Sequence, residues 1–294
     1  MWLAELSLVL MSLIWGVNYI VIKFGTGIVS PLAYNAARIL LATVALFVIA
    51  SVWGGARPSR TDALALVALG VVGNGVYQVL FIEGVARTRA GEAALVVGAS
   101  PALMALFGAW RGIERLTARA TIGIAVSMIG VGLIVLGRAA SGGDVHGGSV
   151  FGDLLVLCGS VSWAIYTVLL TPYLKRVTGW WISAMTMVGG AIVLAIAGAR
   201  AALETTWSAL PSSAFLAMTY SGLGALVVAY IFWYYGVREL GPTRTALYGN
   251  LQPLVALLVA WPTLGEIPTA WQGIGAAAIV SGVLLTRVQA SEAS

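Results

Sequence analysis

Residues that could carry out covalent chemistry are scarce in this chain. It contains one histidine, His146, in a polar stretch, and one cysteine, Cys158, inside an apolar run. A single thiol cannot form an intrachain disulfide, and a single imidazole argues against a histidine-based metal cluster. Serines and threonines occur in the apolar runs, but no histidine or buried carboxylate accompanies them as an activating base. We therefore expect binding chemistry without a cofactor or metal, and a membrane-embedded enzyme is the weaker alternative.

Aromatic and uncharged polar residues, by contrast, recur at helical spacing in several apolar runs. Residues three or four apart lie on one face of a helix. Trp and Tyr present a flat apolar surface with one hydrogen-bonding group, which suits a zwitterionic ligand with an apolar or aromatic side chain. Such groups should face a cavity, and packing between helices is the alternative for each. The predicted substrate-binding residues are Trp15, Asn18, Tyr19, Asn74, Tyr77, Gln78, Phe81, Ser100, Trp163, Tyr166, Thr167, Tyr230, Trp233, Tyr234, Tyr248 and Gln252.

The composition indicates which elements must position these residues. The 294 residues are 60% hydrophobic and 9% charged, whereas soluble domains carry about a quarter charged residues. Apolar runs near the length needed to cross a bilayer recur along the chain, and such runs fold as α-helices. We predict an all-α polytopic membrane protein with ten transmembrane helices, at about 3–23, 31–53, 63–85, 91–110, 118–137, 151–171, 179–199, 211–236, 242–263 and 269–287.

An internal repeat divides the chain. Residues 94–131 align without a gap with residues 246–283 at a shift of 152, and twelve of the 38 positions are identical. Repetition inside an all-helical membrane chain is typical of secondary transporters. We predict a first repeat at 1–139, a linking loop at 140–148 and a second repeat at 149–288. Because each repeat has five spans, the second must be inverted relative to the first.

The inversion places the middle of equivalent spans at one depth. Pro101 and Pro253 are equivalent and near mid-span, as are Trp15 and Trp163. A proline inside a helix removes one hydrogen bond and bends the helix. We predict that Pro101 and Pro253 are hinges, with static kinks as the alternative.

Several motifs follow one another along the chain: Trp15-Gly16-Val17-Asn18-Tyr19 with Lys23, Arg38, Pro101, Glu114-Arg115-Leu116-Thr117, Gly123, Gly130, Pro253, Gly265-Glu266, Thr269, Gly275 and Gly282. Their order resembles two EamA units of the drug/metabolite transporter (DMT) superfamily, over nearly the whole chain. Within it the chain is most similar to the YddG-type exporters of aromatic and other amino acids. The resemblance implies ten helices, cytoplasmic termini in a bacterial inner membrane, a central cavity and export by alternating access.

The distribution of charge agrees with that orientation. If the N-terminus is cytoplasmic, ten Lys and Arg residues lie inside and five outside, as the positive-inside rule requires. Arg38 lies within the second span, where we favour a structural pairing with a carbonyl or a carboxylate, such as Glu83 or Glu92, over substrate binding. Glu114 and Glu266 precede the fifth and tenth spans, where with Thr117 and Thr269 they suit helix capping.

Small residues indicate how the helices pack. Gly123, Ser127 and Gly130 form one seam on the fifth span, and Gly108 with Gly112 forms a GxxxG pattern on the fourth. We expect both to act within a monomer. The chain lacks a phosphate-binding Gly-x-x-x-x-Gly-Lys motif, and its basic residues follow the membrane pattern, so we expect no nucleic-acid partner. The expected partners are a small-molecule substrate and the lipid bilayer; a carrier of another metabolite or drug, and a channel, are the alternatives.

Overall fold

The computed structural model describes residues 2–112, 117–140, 149–240, 245 and 248–287, and these residues form helices and connections without a β-strand. The helices are α1 (Trp2–Thr26), α2 (Pro31–Trp53), α3 (Arg60–Arg87), α4 (Ala90–Trp110), α5 (Ala118–Ala140), α6 (Val150–Leu170), α7 (Gly179–Ala197), α8 (Ser212–Leu240), α9 (Leu251–Leu264) and α10 (Ala270–Arg287). A short helix, Ala199–Glu204, connects α7 to α8.

Eight of these helices, α1 to α8, are long and apolar enough to cross a membrane. The two shorter apolar helices are Leu251–Leu264 and Ala270–Leu285. The predicted ninth span, 242–263, begins in a part of the chain that is largely outside the described residues. Many large apolar side chains are exposed, including Leu203 at 87% and Ile196 at 77%. Such a surface is compatible with lipid and not with water, as expected of a multi-pass membrane protein.

Helix starts follow local capping rules. The Ser149 hydroxyl accepts a hydrogen bond from the Gly152 amide at 3.1 Å at the start of α6. Thr117 accepts from Ala120 N at 3.4 Å at the start of α5. At the equivalent start of α10, Thr269 accepts from Gln272 N at 3.2 Å while the Gln272 amide oxygen accepts from Thr269 N. These contacts satisfy backbone donors that have no partner in the first turn. The predicted capping role of both threonines is confirmed.

Glu266 caps a helix other than its own. Its two carboxylate oxygens accept hydrogen bonds from the backbone of Ala90, at 3.0 Å, and Gly91, at 3.2 Å, at the start of α4. Arg89 donates to the Ile267 carbonyl at 2.8 Å. We predicted that Glu266 stabilises the start of the tenth span. This prediction was wrong, because Glu266 stabilises the start of α4. Glu266 precedes the Thr269 cap and lies after a left-handed Gly265, so it reaches the neighbouring repeat. Glu114 is outside the described residues.

Further buried charges lie around this contact. Glu92 accepts from the Gln272 side chain at 2.9 Å, and Thr88 donates to Asp153. Lys23, at the end of α1, donates to the Thr88 carbonyl at 2.6 Å. Asp153 is 0% exposed, so this end of the bundle is joined by polar contacts that exclude solvent. Side chains from α1, α4, α6 and α10 meet there.

The fifth and tenth helices pack through repeated small residues. A Cβ added at Gly130 would lie 2.7 Å from the Gly275 carbonyl oxygen, and one added at Gly282 would overlap Gly123 and Ser127. The seam predicted on the fifth span is thus confirmed as an intramolecular contact. Gly112 does not extend a second seam: it has a φ of 70° and ends α4, as Gly265, with a φ of 67°, ends α9. Ile113 stands where the second repeat has Gly265, and Gly112, one residue earlier, supplies that left-handed turn.

Two helices contain π-helical segments at equivalent positions. In α3 the segment is Val71–Val76, and in α8 it is Tyr220–Val228. A shift of 152 places residues 71–76 on residues 223–228, inside the second segment. A π turn contains more residues than an α turn, so it rotates the residues that follow about the helix axis. The residues that follow these two segments include Tyr77 and Tyr230, both of which line the cavity described below.

Two helices are interrupted next to the repeated prolines. The first part of α4 ends at Val97, Gly98–Ala99 form a turn, and Ser100 begins the second part with Pro101 in its first turn. In the second repeat Asn250 is a turn residue, and α9 begins at Leu251 with Pro253 in its first turn. Proline is tolerated there because first-turn amides have no partner inside the helix. The prolines therefore start helical segments, whereas we predicted a kink in the middle of one.

Candidate functional site

A cavity lies between the two repeats, near the helix interruptions. It is bordered by parts of α1, α2, α3, α4, α6, α8 and the start of α9. The lining residues are Trp15, Asn18, Tyr19, Arg38, Tyr77, Gln78, Phe81, Ala94, Val97, Gly98, Ser100, Pro101, Met104, Trp163, Ala225, Leu226, Tyr230, Trp233, Gly249, Asn250, Gln252 and Pro253. Both repeats therefore contribute aromatic and polar groups to one space.

Seven aromatic rings form a continuous chain of contacts in the wall of this cavity. Trp15 lies 5.9 Å from both Tyr230 and Trp233, measured between ring centroids. Trp163 lies 6.0 Å from Tyr230 and 5.2 Å from Tyr77. Phe81 continues the chain, stacked on Tyr77 at 5.3 Å and edge-on to Tyr19 at 5.6 Å. Edge-to-face and offset geometries at these distances are favourable for ring pairs. The wall therefore presents ring faces and edges to a bound molecule.

Hydrogen bonds fix several of these side chains. The Trp15 indole donates to the Ala225 carbonyl at 2.8 Å, and that carbonyl belongs to the π-helical part of α8. A π segment leaves carbonyls without their usual i+4 partner, so side chains from other helices can bond to them. Asn18 accepts a hydrogen bond from Ser221 at 2.5 Å. One wall of the cavity is therefore held by contacts between α1 and α8.

Five of the predicted binding residues are not among the residues that line the cavity: Asn74, Tyr166, Thr167, Tyr234 and Tyr248. Tyr230 donates to Asn74 at 3.0 Å, and the hydroxyl groups of Tyr166 and Tyr234 lie 3.3 Å apart. Thr167 donates to the Trp163 carbonyl within its own helix. Tyr248 packs beside Leu8 and Met11, and its carbonyl accepts from Ser12 at 2.6 Å. The structure thus gives these five residues helix-packing contacts, the alternative that the periodicity left open.

Arg38 is the principal lining residue that we did not predict as a binding residue. Its side chain is buried, with Nε 2.7 Å from the Asn35 amide oxygen and Nη2 donating to the Gln78 amide oxygen. The predicted pairing with a carbonyl is confirmed by these two amide oxygens, whereas the carboxylates suggested as partners, Glu83 and Glu92, were wrong. Glu83 pairs with Arg87, and Glu92 lies beside Arg89 and Gln272 at the end of the bundle. Asn35 lies one helical turn from Arg38, and Gln78 faces Arg38 from α3. The guanidinium is therefore bonded by two neutral amide groups and not by a carboxylate.

Two aromatic residues near the ends of helices, Tyr34 and Trp181, are also buried. Tyr34 is 0% exposed and donates to the Ala217 carbonyl at 3.0 Å, while Trp181 is 3% exposed. Position near the end of a span does not distinguish a lipid-facing ring from one turned inward.

This set of groups can bind a ligand. Within the described residues there is no group of three or more His, Cys, Asp or Glu side chains that could hold a metal ion. The lining residues supply ring surfaces, amides, hydroxyl groups and one guanidinium. Such a combination recognises a small molecule with an apolar part and a polar part.

Sequence comparison agrees with the repeat. The profile of the EamA-like transporter family matches residues 2–136 and again residues 150–288. The chain is 32% identical to an "uncharacterized inner membrane transporter", YedA, of Escherichia coli strain K12, over 95% of this chain and 89% of that protein. It is 28% identical to an "uncharacterized transporter", YyaM, of Bacillus subtilis strain 168, over 93% and 90% of the two chains.

One relative has a more specific name. The chain is 29% identical to a "probable terminal-alkyne amino-acid exporter" of Streptantibioticus cattleyicolor, over 95% of this chain and 91% of that protein. A solved crystal structure of a protein with 21% identity covers 99% of this chain and 98% of its own, with a TM-score of 0.67. That likeness shows a shared fold.

Proposed function

Because the chain belongs to the EamA-like transporter family and is therefore a membrane transporter, we propose that it exports neutral and aromatic amino acids and related metabolites. The proposed site of action is the bacterial inner membrane, where the chain works as a monomer. The alternative within the family is a carrier for a different small metabolite or drug. The proposed transport does not use nucleotide hydrolysis.

The aromatic lining of the cavity supports the proposed substrate class. Trp15, Trp163 and Tyr77 offer ring surfaces to an apolar or aromatic side chain, while Asn18 and Gln252 offer hydrogen bonds to a polar end. A sugar would need many more polar partners, and a large lipophilic cation would need an acidic lining residue. The name of the Streptantibioticus cattleyicolor relative supports an amino-acid substrate with an apolar side chain.

The proposed mechanism is alternating access around this cavity. In a carrier built from inverted repeats, each repeat can adopt the conformation of the other. When the two repeats exchange conformations, the closed face opens and the open face closes. The interruptions beside Pro101 and Pro253 are the proposed hinges, because each lies at a helix break on the cavity wall. The first repeat is 1–139, the second is 149–288, and residues 140–148 link them.

The proposed orientation places both termini in the cytoplasm. The connection between α9 and α10, which contains Glu266, is then extracytoplasmic, as is the start of α4. The contact of Glu266 with Ala90 and Gly91 joins the two repeats at that face. We assign this contact to the closed extracytoplasmic side of the carrier.

A panel of labelled amino acids tests the substrate class. Purified protein in proteoliposomes should accelerate the efflux of phenylalanine, tryptophan and leucine well above the rate in empty vesicles, and arginine and glutamate efflux should stay at background. Repeating the assay with a pH gradient of either sign determines whether protons are coupled to transport. Background rates for every neutral and aromatic amino acid, with acceleration of another metabolite, would support the alternative carrier.

A further inference from the structure

Two buried polar atoms on the cavity wall have no hydrogen-bond partner among the described residues. One is Nη1 of Arg38, whose residue is 1% exposed, and the other is Oγ of Ser100, whose residue is 6% exposed. Both residues line the aromatic cavity. Buried polar groups are almost always paired, so two unpaired donors lining one cavity point to a ligand that accepts hydrogen bonds from them.

The charge of Arg38 is also without a counter-charge. Its two bonded nitrogens contact neutral amide oxygens, of Asn35 and Gln78, and no carboxylate among the described residues forms an ion pair with it. The amide contacts fix the plane of the guanidinium. Asn35 in turn donates to the Gln78 carbonyl at 2.8 Å, so the supporting groups are themselves held. A buried cation with an uncompensated charge is costly unless an anion completes it.

The broken helix adds a second positive group. The second part of α4, Ser100–Trp110, begins at the cavity, and Ser100 and Pro101 are both lining residues. The start of a helix carries a partial positive charge. At this start Pro101 has no N–H, and the amides of Ala102 and Leu103 bond to the Ala99 carbonyl at 3.0 and 3.3 Å, so the helix contributes its dipole and the Ser100 hydroxyl and not a set of free amides. In transporters with discontinuous helices, such half-helix starts face anionic groups of the substrate.

We propose that Arg38 and Ser100, with the start of the second part of α4, bind the carboxylate of the transported molecule. Nη1 of Arg38 and Oγ of Ser100 donate hydrogen bonds to the carboxylate, and the chain of rings from Tyr19 to Trp233 holds the apolar part. The identification of this carboxylate as that of an amino acid rests on the proposed function. The site itself is one for monocarboxylates with an apolar group.

Binding of three matched probes to the purified wild-type protein tests this site directly. Phenylacetate has the carboxylate and the ring, phenylacetamide replaces the carboxylate by a neutral amide of similar shape, and phenylethylamine has a cation. By calorimetric titration, phenylacetate should bind at least tenfold more tightly than either of the others. Equal or weaker binding of phenylacetate would overturn the proposal without any variant being needed.

Variants then locate the interaction. Arg38→Gln should weaken phenylacetate binding by tenfold or more and leave phenylacetamide binding unchanged, and Ser100→Ala should weaken phenylacetate severalfold. Arg38→Lys should retain part of the preference, since it keeps the charge. Arg200→Gln removes a surface arginine that is 90% exposed and should bind phenylacetate as the wild type does. An Arg38→Gln variant that folds and binds phenylacetate with wild-type affinity would contradict the assignment.

The outcome is separable from that of the proposed function. If phenylacetate binds through Arg38 but no amino acid is transported, the carboxylate site stands and the amino-acid substrate is rejected. If phenylalaninamide is exported as fast as phenylalanine, amino-acid export stands and the carboxylate site is rejected.

Discussion

The hydroxyl of Ser127 donates a hydrogen bond to the carbonyl oxygen of Ile279 at 3.2 Å, and the two residues occupy the same position in the two repeats. On either side the contacts are exchanged: Gly123 meets Gly282, and Gly130 meets Gly275. When residue i of one unit meets j of the other, and j of the first meets i of the second, the units are related by a two-fold operation. The fifth and tenth helices therefore cross at the pseudo-symmetry axis.

Larger side chains at this crossing should destabilise the protein. Gly282→Ala would overlap Gly123 and Ser127, and Gly130→Ala would place a Cβ 2.7 Å from the Gly275 carbonyl oxygen. Overpacking of this kind costs about 1–3 kcal/mol, so thermal unfolding in detergent should begin several degrees lower. Gly132→Ala and Gly273→Ala are matched controls on the same two helices, because nothing lies within 4 Å of either added Cβ. Equal unfolding temperatures in all four variants would show that the glycines do not set the approach of the helices.

The helix breaks should control the balance of conformations. Pro101→Ala supplies a backbone N–H that can bond across the Gly98–Ala99 turn, and Pro253→Ala does the same near Asn250. Under the proposed inversion of the repeats, the two variants should shift the carrier in opposite senses. Electron spin–spin distances would report this, with label pairs at residues 28 and 267 for one end and at 53 and 110 for the other, in a Cys158→Ser background.

Pro262→Ala is the control for that experiment, since Pro262 lies inside α9 far from the Asn250 turn. Its distance distributions should match those of the parent protein. Unchanged distributions in folded Pro101→Ala and Pro253→Ala proteins would show that both prolines are fixed parts of the scaffold.

Glu266 should hold the face at the start of α4 closed. Glu266→Gln removes the charge but can still bond to one of the two amides of Ala90 and Gly91, so the closed state should lose about 1 kcal/mol, the difference between charged and neutral hydrogen bonds. The distance between labels at residues 28 and 267 should then include a longer component. Glu204→Gln, on an exposed surface helix, should leave the distribution unchanged. A shorter or identical distance in Glu266→Gln would contradict the closing role.

Cysteine labelling tests the orientation of the chain. In a Cys158→Ser background, Ser149→Cys should react with a membrane-impermeant maleimide in intact cells, because the basic residues favour an extracytoplasmic link between repeats. Arg57→Cys, in the connection between α2 and α3, should react only after permeabilisation. The reverse pattern would place both termini outside.

Much of the helical framework follows from hydropathy alone. The predicted span 31–53 coincides with the observed Pro31–Trp53, because proline starts this helix and Gly54 ends it. The seam at Gly123, Ser127 and Gly130 was visible because small residues recur at helical spacing. The repeat also indicated which positions correspond, which is why the exchange of contacts between the fifth and tenth helices could be recognised.

The cavity wall could be predicted only in part. Helical spacing predicted both Trp163 and Tyr166 as binding residues. Trp163 lines the cavity, whereas Tyr166 does not and its hydroxyl lies 3.3 Å from that of Tyr234. The π-helical segments rotate the residues that follow them, and nothing in a hydropathy pattern distinguishes a π turn from an α turn. Arg38 was predicted to pair with a carbonyl or a carboxylate, and Glu83 and Glu92 were suggested because opposite charges usually pair. Its actual partners, Asn35 and Gln78, depend on which helices are neighbours, and the sequence of one chain does not contain that information.

The most direct test of the account is phenylalanine counterflow in proteoliposomes made with the wild-type protein, Trp163→Ala and Trp110→Ala. Trp163 contacts Tyr77 and Tyr230 in the cavity, whereas Trp110 is 80% exposed at the end of α4. Losing one stacking contact with the substrate, worth about 0.5–1.5 kcal/mol, predicts a fall in exchange rate of about two- to tenfold for Trp163→Ala. Trp110→Ala should exchange phenylalanine at the wild-type rate. Wild-type exchange by a folded Trp163→Ala protein, or no exchange by the wild type, would contradict transport of aromatic amino acids through this cavity.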